Sequence, residues 1–182
     1  MACSLEDRMT DEARDCDGTD FTALLTFLNE TPNQLKNSTA GLSSAQVRFQ
    51  NAPDEFSVLE NICHLRDLEL QGYTPRISRI LAESNPSLSD FDGARVAAES
   101  NYQNEQPQVA MRTFQIARKA NVDRLRSLSE DQLKREGTLE GVGTITLRRL
   151  AEKMREHDEG HLDDLRVLRM QLNRRSGTEQ LP

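Results

Sequence analysis

The feature that most constrains the fold is a long row of mainly apolar residues in the last third of the chain. Its members follow one another at steps of 3, 4, 3, 4, 4, 3 and 4 residues, and they are Leu147, Leu150, Met154, His157, His161, Leu165, Leu168 and Leu172. These steps place the whole row on one face of an α-helix, because a helix repeats every 3.6 residues. The row predicts a core-facing helix that is capped by Thr144 and continues to about Asn173.

Three earlier segments also have helical patterns. Each opens with a residue that suits a helix start, and these residues are Asp20, Ser57 and Pro107. The second segment continues to about residue 84, and Gly72 and Pro75 weaken its middle, where we expect a kink. A further break or kink is expected at residues 31–32. Residues 137–143 are interpreted as a Gly-rich loop, and no convincing pair of strands is found.

The composition favours packed helices over a β-sandwich. Aromatic residues make up 4% of the 182 residues and tryptophan is absent, whereas strands prefer aromatic and β-branched side chains. Four long helices joined by loops predict an all-α fold, a four-helix bundle in one domain. We expect residues 1–18 to form a disordered N-terminal tail, residues 19–173 to form the bundle, and residues 174–182 to form a disordered C-terminal tail.

The charge and the apolar content limit the function classes. The formal net charge is −7, which argues against general affinity for nucleic acid or for an anionic membrane. No apolar run reaches the length of a membrane span, and the acidic start of the chain lacks the apolar stretch of a secretory signal. A cytoplasmic location is therefore expected. The three cysteines are odd in number and lack CxxC spacing, so neither a disulfide framework nor a cysteine zinc site is predicted.

Two histidines interrupt the apolar row of the last helix. Burying an imidazole costs free energy unless its nitrogens find partners. His157 and His161 are four residues apart, so both rings lie on the same side of the helix and can offer a nitrogen to one metal ion. His64, on the second helix, can complete a three-nitrogen site with an open position for water or a thiol. The alternative is a hydrogen-bonded or surface pair of histidines that binds no ion.

Three carboxylates near these histidines have less certain roles. Glu69 falls on the buried side of the second helix, so it needs a partner, for which we expect an arginine, and a structural role is favoured over a catalytic one. Asp67 lies one turn after His64 and is a candidate to orient that ring. Asp158 points away from the face of His157, so it is interpreted either as an outer partner of the ligands or as a surface charge.

Three runs of this sequence resemble the DinB/YfiT-like superfamily of metalloenzymes. They are SVLENICHLRDLE, PQVAMRTFQIARKANVDRLRSL and GVGTITLRRLAEKMREHDEGHLDDL, and the resemblance extends from about Phe21 to Leu172. Its most specific parts are the histidine of the HLRD-like run and the HDxxH motif. The resemblance implies an up-down-down-up four-helix bundle with zinc or nickel bound by three histidines, which by motif position are His64, His157 and His161.

The same resemblance implies an activity. The superfamily includes S-transferases that use low-molecular-weight thiols such as bacillithiol and mycothiol, in which the metal is thought to activate the thiol as a thiolate. We therefore expect a small-molecule substrate and a metal-dependent transferase, with metal-assisted hydrolysis as the next choice. The alternative is a non-catalytic metal-binding helical module, and a homodimer is compatible with either. Many relatives carry tryptophan where this chain has Phe56 and Leu133 or nearby residues, so the pocket wall is expected to differ.

Overall fold

The computed structural model describes residues 21–52 and 55–178. The predicted tail at residues 1–18, and residues 179–182 of the predicted C-terminal tail, lie outside this range. In chain order the elements are α1 (Phe21–Thr39), α2 (Ser44–Val47), α3 (Val58–Asp67), a π-helical segment (Leu68–Tyr73), α4 (Thr74–Ala82), β1 (Ser87–Leu88), α5 (Gly93–Ser100), a 3-10 turn (Tyr102–Asn104), α6 (Pro107–Arg126), α7 (Glu130–Leu133), β2 (Glu136–Leu139), β3 (Gly143–Thr146) and α8 (Leu147–Thr178).

Helices α1 and α8 run in the same direction, while the continuous helix from α3 to α4 runs against α8. The start of α8 lies beside the start of α1, where the Arg148 guanidinium is 4.7 Å from the centre of the Phe21 ring. Further along both helices, Arg169 donates a hydrogen bond to the carbonyl of Ser38 over 2.8 Å. In contrast, the start of α3 contacts the middle and second half of α8, since Asn61 is hydrogen-bonded to His161 and lines a groove together with Leu168.

Helix α6 runs parallel to the α3–α4 helix. Arg118 is paired with Glu69, and one and a half turns later Arg124 donates to the hydroxyl of Ser78 over 2.6 Å. Helix α1 packs against α6 and α8, and α3 packs against α6 and α8. The directions are therefore up, down, down and up, so the predicted all-α four-helix bundle is confirmed.

The second long helix begins as the sequence predicts. The Ser57 hydroxyl accepts a hydrogen bond from the Glu60 amide, and the Glu60 carboxylate accepts one from the Ser57 amide, so the two form a capping box. The expected kink is a π-helical segment that ends just before Pro75. Proline has no N–H to donate and its ring crowds the carbonyl four residues earlier, and the wider turn relieves this conflict.

Helix α1 is continuous through Pro32, so the expected break does not occur. Pro32 cannot donate to the Leu28 carbonyl, which would otherwise remain unpaired inside the bundle. That carbonyl instead accepts a hydrogen bond from Arg118 of α6 at 3.5 Å. A tertiary contact therefore replaces the helical hydrogen bond that proline removes.

The expected absence of strands is wrong. Strand β2 pairs with β3 in antiparallel fashion and with β1 in parallel fashion, so residues 137–139 and 143 of the predicted Gly-rich loop belong to a small three-stranded sheet. Gly141 and Gly143 have φ values of +75° and +101°, which suit the turn between β2 and β3. The strands have at most four residues each and their pairing is settled by tertiary contacts, so their sequences show no clear alternation.

The limits of α8 also differ from the prediction. Thr144 lies in β3 opposite Thr138, and Thr146 caps α8 by accepting a hydrogen bond from the Arg149 amide at 3.1 Å. The helix continues past Asn173 to Thr178. No helix among the described residues is both long enough and apolar enough to cross a membrane.

The core consists of two apolar clusters with polar side chains between them. One cluster contains Leu24, Leu28, Ile77, Val122 and Met154, and the other contains Leu35, Ile62, Phe114, Leu162 and Leu165. On α1, α6 and α8 the intervening buried positions include the polar residues Thr31, Arg118, Asn121 and Asp158. The bundle therefore has a polar layer across its middle, and His157 and His161 belong to the same stretch of α8.

Candidate metal centre

Three histidine side chains converge beside this polar layer. Helix α3 supplies His64, and α8 supplies His157 and His161 from one of its faces. The Nε2 atom of His157 lies 3.2 Å from Nε2 of His64 and 3.3 Å from Nε2 of His161. In the part of the chain that the structure describes, these residues form the one group of three or more potential metal ligands whose ligand atoms lie within 4.8 Å of one another.

The spacing of these nitrogens fits coordination of a single ion. Ligand nitrogens at about 2.0–2.1 Å from a tetrahedral zinc ion are about 3.3–3.4 Å apart, close to the two observed separations. Three neutral imidazoles cannot satisfy one another at such a meeting point, because each ring has only one N–H to donate. A cation that accepts all three lone pairs removes this conflict, so the residues present fit a divalent metal.

Asn61 fixes the orientation of one histidine. Its Oδ1 accepts a hydrogen bond from Nδ1 of His161 at 2.6 Å, while its Nδ2 donates to the Ser57 carbonyl at 2.9 Å. The second bond keeps Oδ1 directed at His161, and the proton on Nδ1 leaves Nε2 with a free lone pair. The sequence did not predict this role of Asn61, although Asn61 is a polar residue one turn before His64 on the same helix.

Burial keeps the histidines neutral at physiological pH. Together with the neighbouring histidines, which contribute less, burial lowers the pKa of His64 to about 4 and that of His157 to about 3. The pKa of His161 is also lowered, again by burial, against an opposing effect of Asp158. Neutral imidazoles are the form that binds a metal, so the folded protein presents its nitrogens ready for coordination.

Apolar groups and a glycine surround His64. Its ring centre lies 5.5 Å from that of Phe56 and 5.9 Å from that of Phe91. A Cβ atom added at Gly93 would lie 2.4 Å from Cε1 of His64, so the glycine permits the ring to occupy its position. Nδ1 of His64 and Nδ1 of His157 are buried without a hydrogen-bond partner among the described residues.

Asp67 does not form a hydrogen bond with His64. Its carboxylate accepts hydrogen bonds from Arg66 at 2.7 Å and from the hydroxyl of Tyr102 at 2.9 Å. The negative charge of Asp67 opposes the lowering of the His64 pKa, but Asp67 does not fix the orientation of the His64 ring by a hydrogen bond. Cys63, directly before His64 in the chain, is fully buried, and burial raises its pKa to about 12.

Glu69 and Asp158 belong to one buried network that is centred on Arg118. All three side chains are at most 1% exposed. Arg118 pairs with Glu69 at 2.8 Å and donates to both oxygens of Asp158, and its pKa is raised because these carboxylates outweigh the effect of burial. Thr31 donates to Asp158 at 2.9 Å, and Asn121 donates to Glu69 at 2.7 Å.

This network settles two of the sequence expectations. Glu69 is buried and has an arginine partner, as predicted. Asp158 is completely buried, so the interpretation as a surface charge is wrong, and the described structure gives it Arg118 and Thr31 as hydrogen-bond partners instead of a histidine ring. Its side chain turns away from the apolar row, as expected from its position after His157, but it turns towards α1 and α6 and not towards solvent.

A groove of about 440 Å³ lies between the start of α3 and the second half of α8, and its lining contains two residues that contact the histidines. Its lining includes Phe56, which lies against His64, and Asn61, which binds His161. The remaining lining residues are Glu55, Asp164, Val167, Leu168 and Gln171. A small molecule in this groove would contact Phe56, which lies beside His64, and Asn61, which binds His161.

Comparisons with known proteins agree with this architecture. A family model described as the DinB superfamily matches residues 28–165. Among solved structures, the chain is similar to YfiT from Bacillus subtilis, which is described as a probable metal-dependent hydrolase with an unusual four-helix bundle topology. The match covers 94% of each chain with a TM-score of 0.76 and 19% sequence identity, so it establishes the fold. No curated protein matches the sequence.

Proposed function

The chain belongs to the DinB superfamily, and on this basis we propose that it is a metal-dependent enzyme that transfers a group to or from a small thiol. The observation that carries the proposal is the convergence of three neutral imidazole nitrogens at 3.2 and 3.3 Å. We assign His64, His157 and His161 as ligands of one divalent ion, zinc or nickel, since imidazole suits both metals.

The surroundings of the histidines support an open coordination position. Glu69 is held by Arg118 and Asn121, and Asp67 is held by Arg66 and Tyr102, so neither carboxylate is available as a fourth ligand. No other carboxylate or cysteine of the described residues joins the group. Three protein ligands with room for a further group are typical of catalytic zinc sites, whereas structural sites have four protein ligands.

The same surroundings favour a thiol as the source of the nucleophile. A bound divalent ion acts as a Lewis acid and lowers the pKa of a thiol or water that it coordinates. The chain supplies neutral imidazoles, a fixed His161 ring through Asn61, and the apolar Phe56 and Phe91 beside His64. Asp158, the carboxylate nearest in sequence, is engaged by Arg118 and cannot act as a base. The adjoining groove still contains the carboxylates of Glu55 and Asp164, so the preference for thiolate transfer rests on the apolar surroundings of His64 and not on the lack of a base.

The first test is metal content. We expect untagged protein purified without added metal, or after loading with zinc or nickel, to contain close to one ion per chain by inductively coupled plasma mass spectrometry. The double variant His157→Ala, His161→Ala should lose the ion. Gly160→Ala is the matched control, since it lies between these residues on the same helix and its new Cβ meets no atom within 4 Å. A folded wild-type protein that binds neither metal contradicts the proposal.

The second test separates the two reactions. Metal-loaded protein is offered low-molecular-weight thiols with an electrophilic acceptor, and separately esters and amides. Thiol-dependent product that requires metal supports the transferase, and hydrolysis without thiol supports the metal-dependent hydrolase. Stoichiometric metal with neither activity, across a broad panel, favours a non-catalytic metal-binding module.

A further inference from the structure

A second cavity, of about 750 Å³, lies away from the histidines at the surface between α1, α2 and α6. Its volume is typical of pockets that bind small molecules, which range over about 300–1,000 Å³. The groove beside the histidines includes the carboxylates of Glu55 and Asp164. In contrast, none of the described residues that line the second cavity is acidic, although the whole chain has a net charge of −7.

Three basic side chains line this cavity, namely Lys36, Arg48 and Arg112. Arg48 is held in place because it donates to the carbonyls of Gln103 and Glu105 at 3.0 and 2.9 Å. These partners are uncharged, so the positive charge of Arg48 is not neutralised. The described residues give the side chains of Lys36 and Arg112 no hydrogen bond and no ion pair. The three cations therefore produce a local positive potential on an acidic protein.

The start of α6 adds to this potential. Gln106 and Pro107 both line the cavity, and Gln106 precedes the helix without a side-chain capping hydrogen bond. Helix α6 has 20 residues, so its uncapped N-terminal end carries the positive end of a long helix dipole. The N-terminal end of α6 and the three basic side chains both contribute positive potential at this end of the cavity, which favours the binding of an anion there.

The rest of the lining contains four apolar side chains beside four uncharged polar ones. Ile62 and Val47 are buried beneath the cavity, and Leu42 and Met111 are partly buried beside it. Apolar surface next to unpaired cations suits a molecule that has an anionic head and a hydrocarbon body, because each part then meets a matching surface. A purely polar anion such as phosphate would leave this apolar lining uncovered.

We propose that this second cavity binds a small amphipathic anion, a carboxylate or phosphate with a hydrocarbon body, taken free from solution. The anionic head lies among Lys36, Arg48 and Arg112, and the hydrocarbon body lies on Val47 and Ile62. The site is separate from the histidine cluster, so this ligand is not the group that coordinates the metal. The cavity is bordered by α1, α2 and α6, and its volume is that of a site for one small molecule, which favours a single soluble molecule over a lipid bilayer.

The test is calorimetric titration of the full chain with octanoate, with octylamine as the probe of opposite charge. Octanoate should bind and octylamine should not. The variant Lys36→Gln, Arg112→Gln should bind octanoate about fivefold more weakly or worse, since it removes two attractive charges. The matched control is Lys119→Gln, Arg126→Gln, which removes two exposed charges of α6, the helix of Arg112, from outside the cavity and should bind as the wild type does.

Amide chemical shifts locate the binding, and with octanoate they should change around residues 36–48 and 106–112. Equal binding of both probes, equal loss in the two double variants, or no octanoate binding below its micelle-forming concentration would each overturn the proposal. So would binding to phosphatidylglycerol vesicles without binding to octanoate. The metal content of the Lys36→Gln, Arg112→Gln variant should equal that of the wild type. A failure of the proposed anion site can therefore be distinguished from a failure of the proposed metal site.

Discussion

Removing the guanidinium of Arg118 should destabilise the bundle more than any exposed substitution on the same helix. In Arg118→Met the aliphatic length is kept, but Glu69 and Asp158 remain as two fully buried carboxylates without their cation. The Leu28 carbonyl, already deprived of a helical donor by Pro32, also loses its partner. Breaking a buried pair by removing one member costs about 3–5 kcal/mol, because the remaining charge is left desolvated.

This cost predicts a measurable fall in melting temperature. For a chain of this size, 1 kcal/mol corresponds to about 2–4 °C, so the metal-free variant should melt about 6–20 °C below the wild type. Circular dichroism at pH 7 measures the transition. The control is Lys119→Met on the neighbouring exposed position of α6, which should change the free energy of unfolding by less than about 0.5 kcal/mol.

A triple variant tests the physical reason. Glu69→Gln, Arg118→Met, Asp158→Asn removes the two unpaired charges together with their partner, and it should recover a large part of the lost stability. Two results would refute the reasoning. One is an Arg118→Met variant that melts within about 2 °C of the wild type, and the other is a triple variant no more stable than the single variant.

Three further predictions concern the histidines. Asn61→Leu removes the acceptor that fixes one ring and should lower metal affinity about 10- to 100-fold in a chelator competition, and unchanged affinity would exclude the orienting role. Gly93→Ala places a Cβ 2.4 Å from Cε1 of His64 and should also weaken metal binding, whereas Gly160→Ala should not; equal affinities would contradict this. In the unfolded chain the imidazoles bind protons near pH 6.5, but burial lowers the folded pKa of His64 to about 4 and of His157 to about 3. Between pH 6.5 and pH 4 the unfolded state therefore binds more protons than the folded state. The free energy of unfolding of the metal-free protein should fall as the pH decreases over this range. Denaturant titrations measure this slope, which should be smaller in His64→Gln, His157→Gln, and an equal slope in both proteins would show that other groups cause it.

The helices could be predicted because their signals are local. The row from Leu147 to Leu172 and the capping pair Ser57 and Glu60 act over three or four residues, so the chain sequence contains the whole interaction. The histidines stood out for the same reason, as two polar residues in an apolar row. Thr144 was misassigned as a cap because the strand in which it lies is stabilised by residues far away in sequence.

The sequence by itself determined four amphipathic helices and three histidines placed to meet on them. Tertiary structure alone decided that the histidine nitrogens lie 3.2 and 3.3 Å apart, that Asn61 orients His161, and that Arg118 joins Glu69 to Asp158. The physical reason is the range of the interactions. Helical periodicity and capping are properties of neighbouring residues, whereas a buried charge or imidazole selects its partner only after the helices have packed and excluded water.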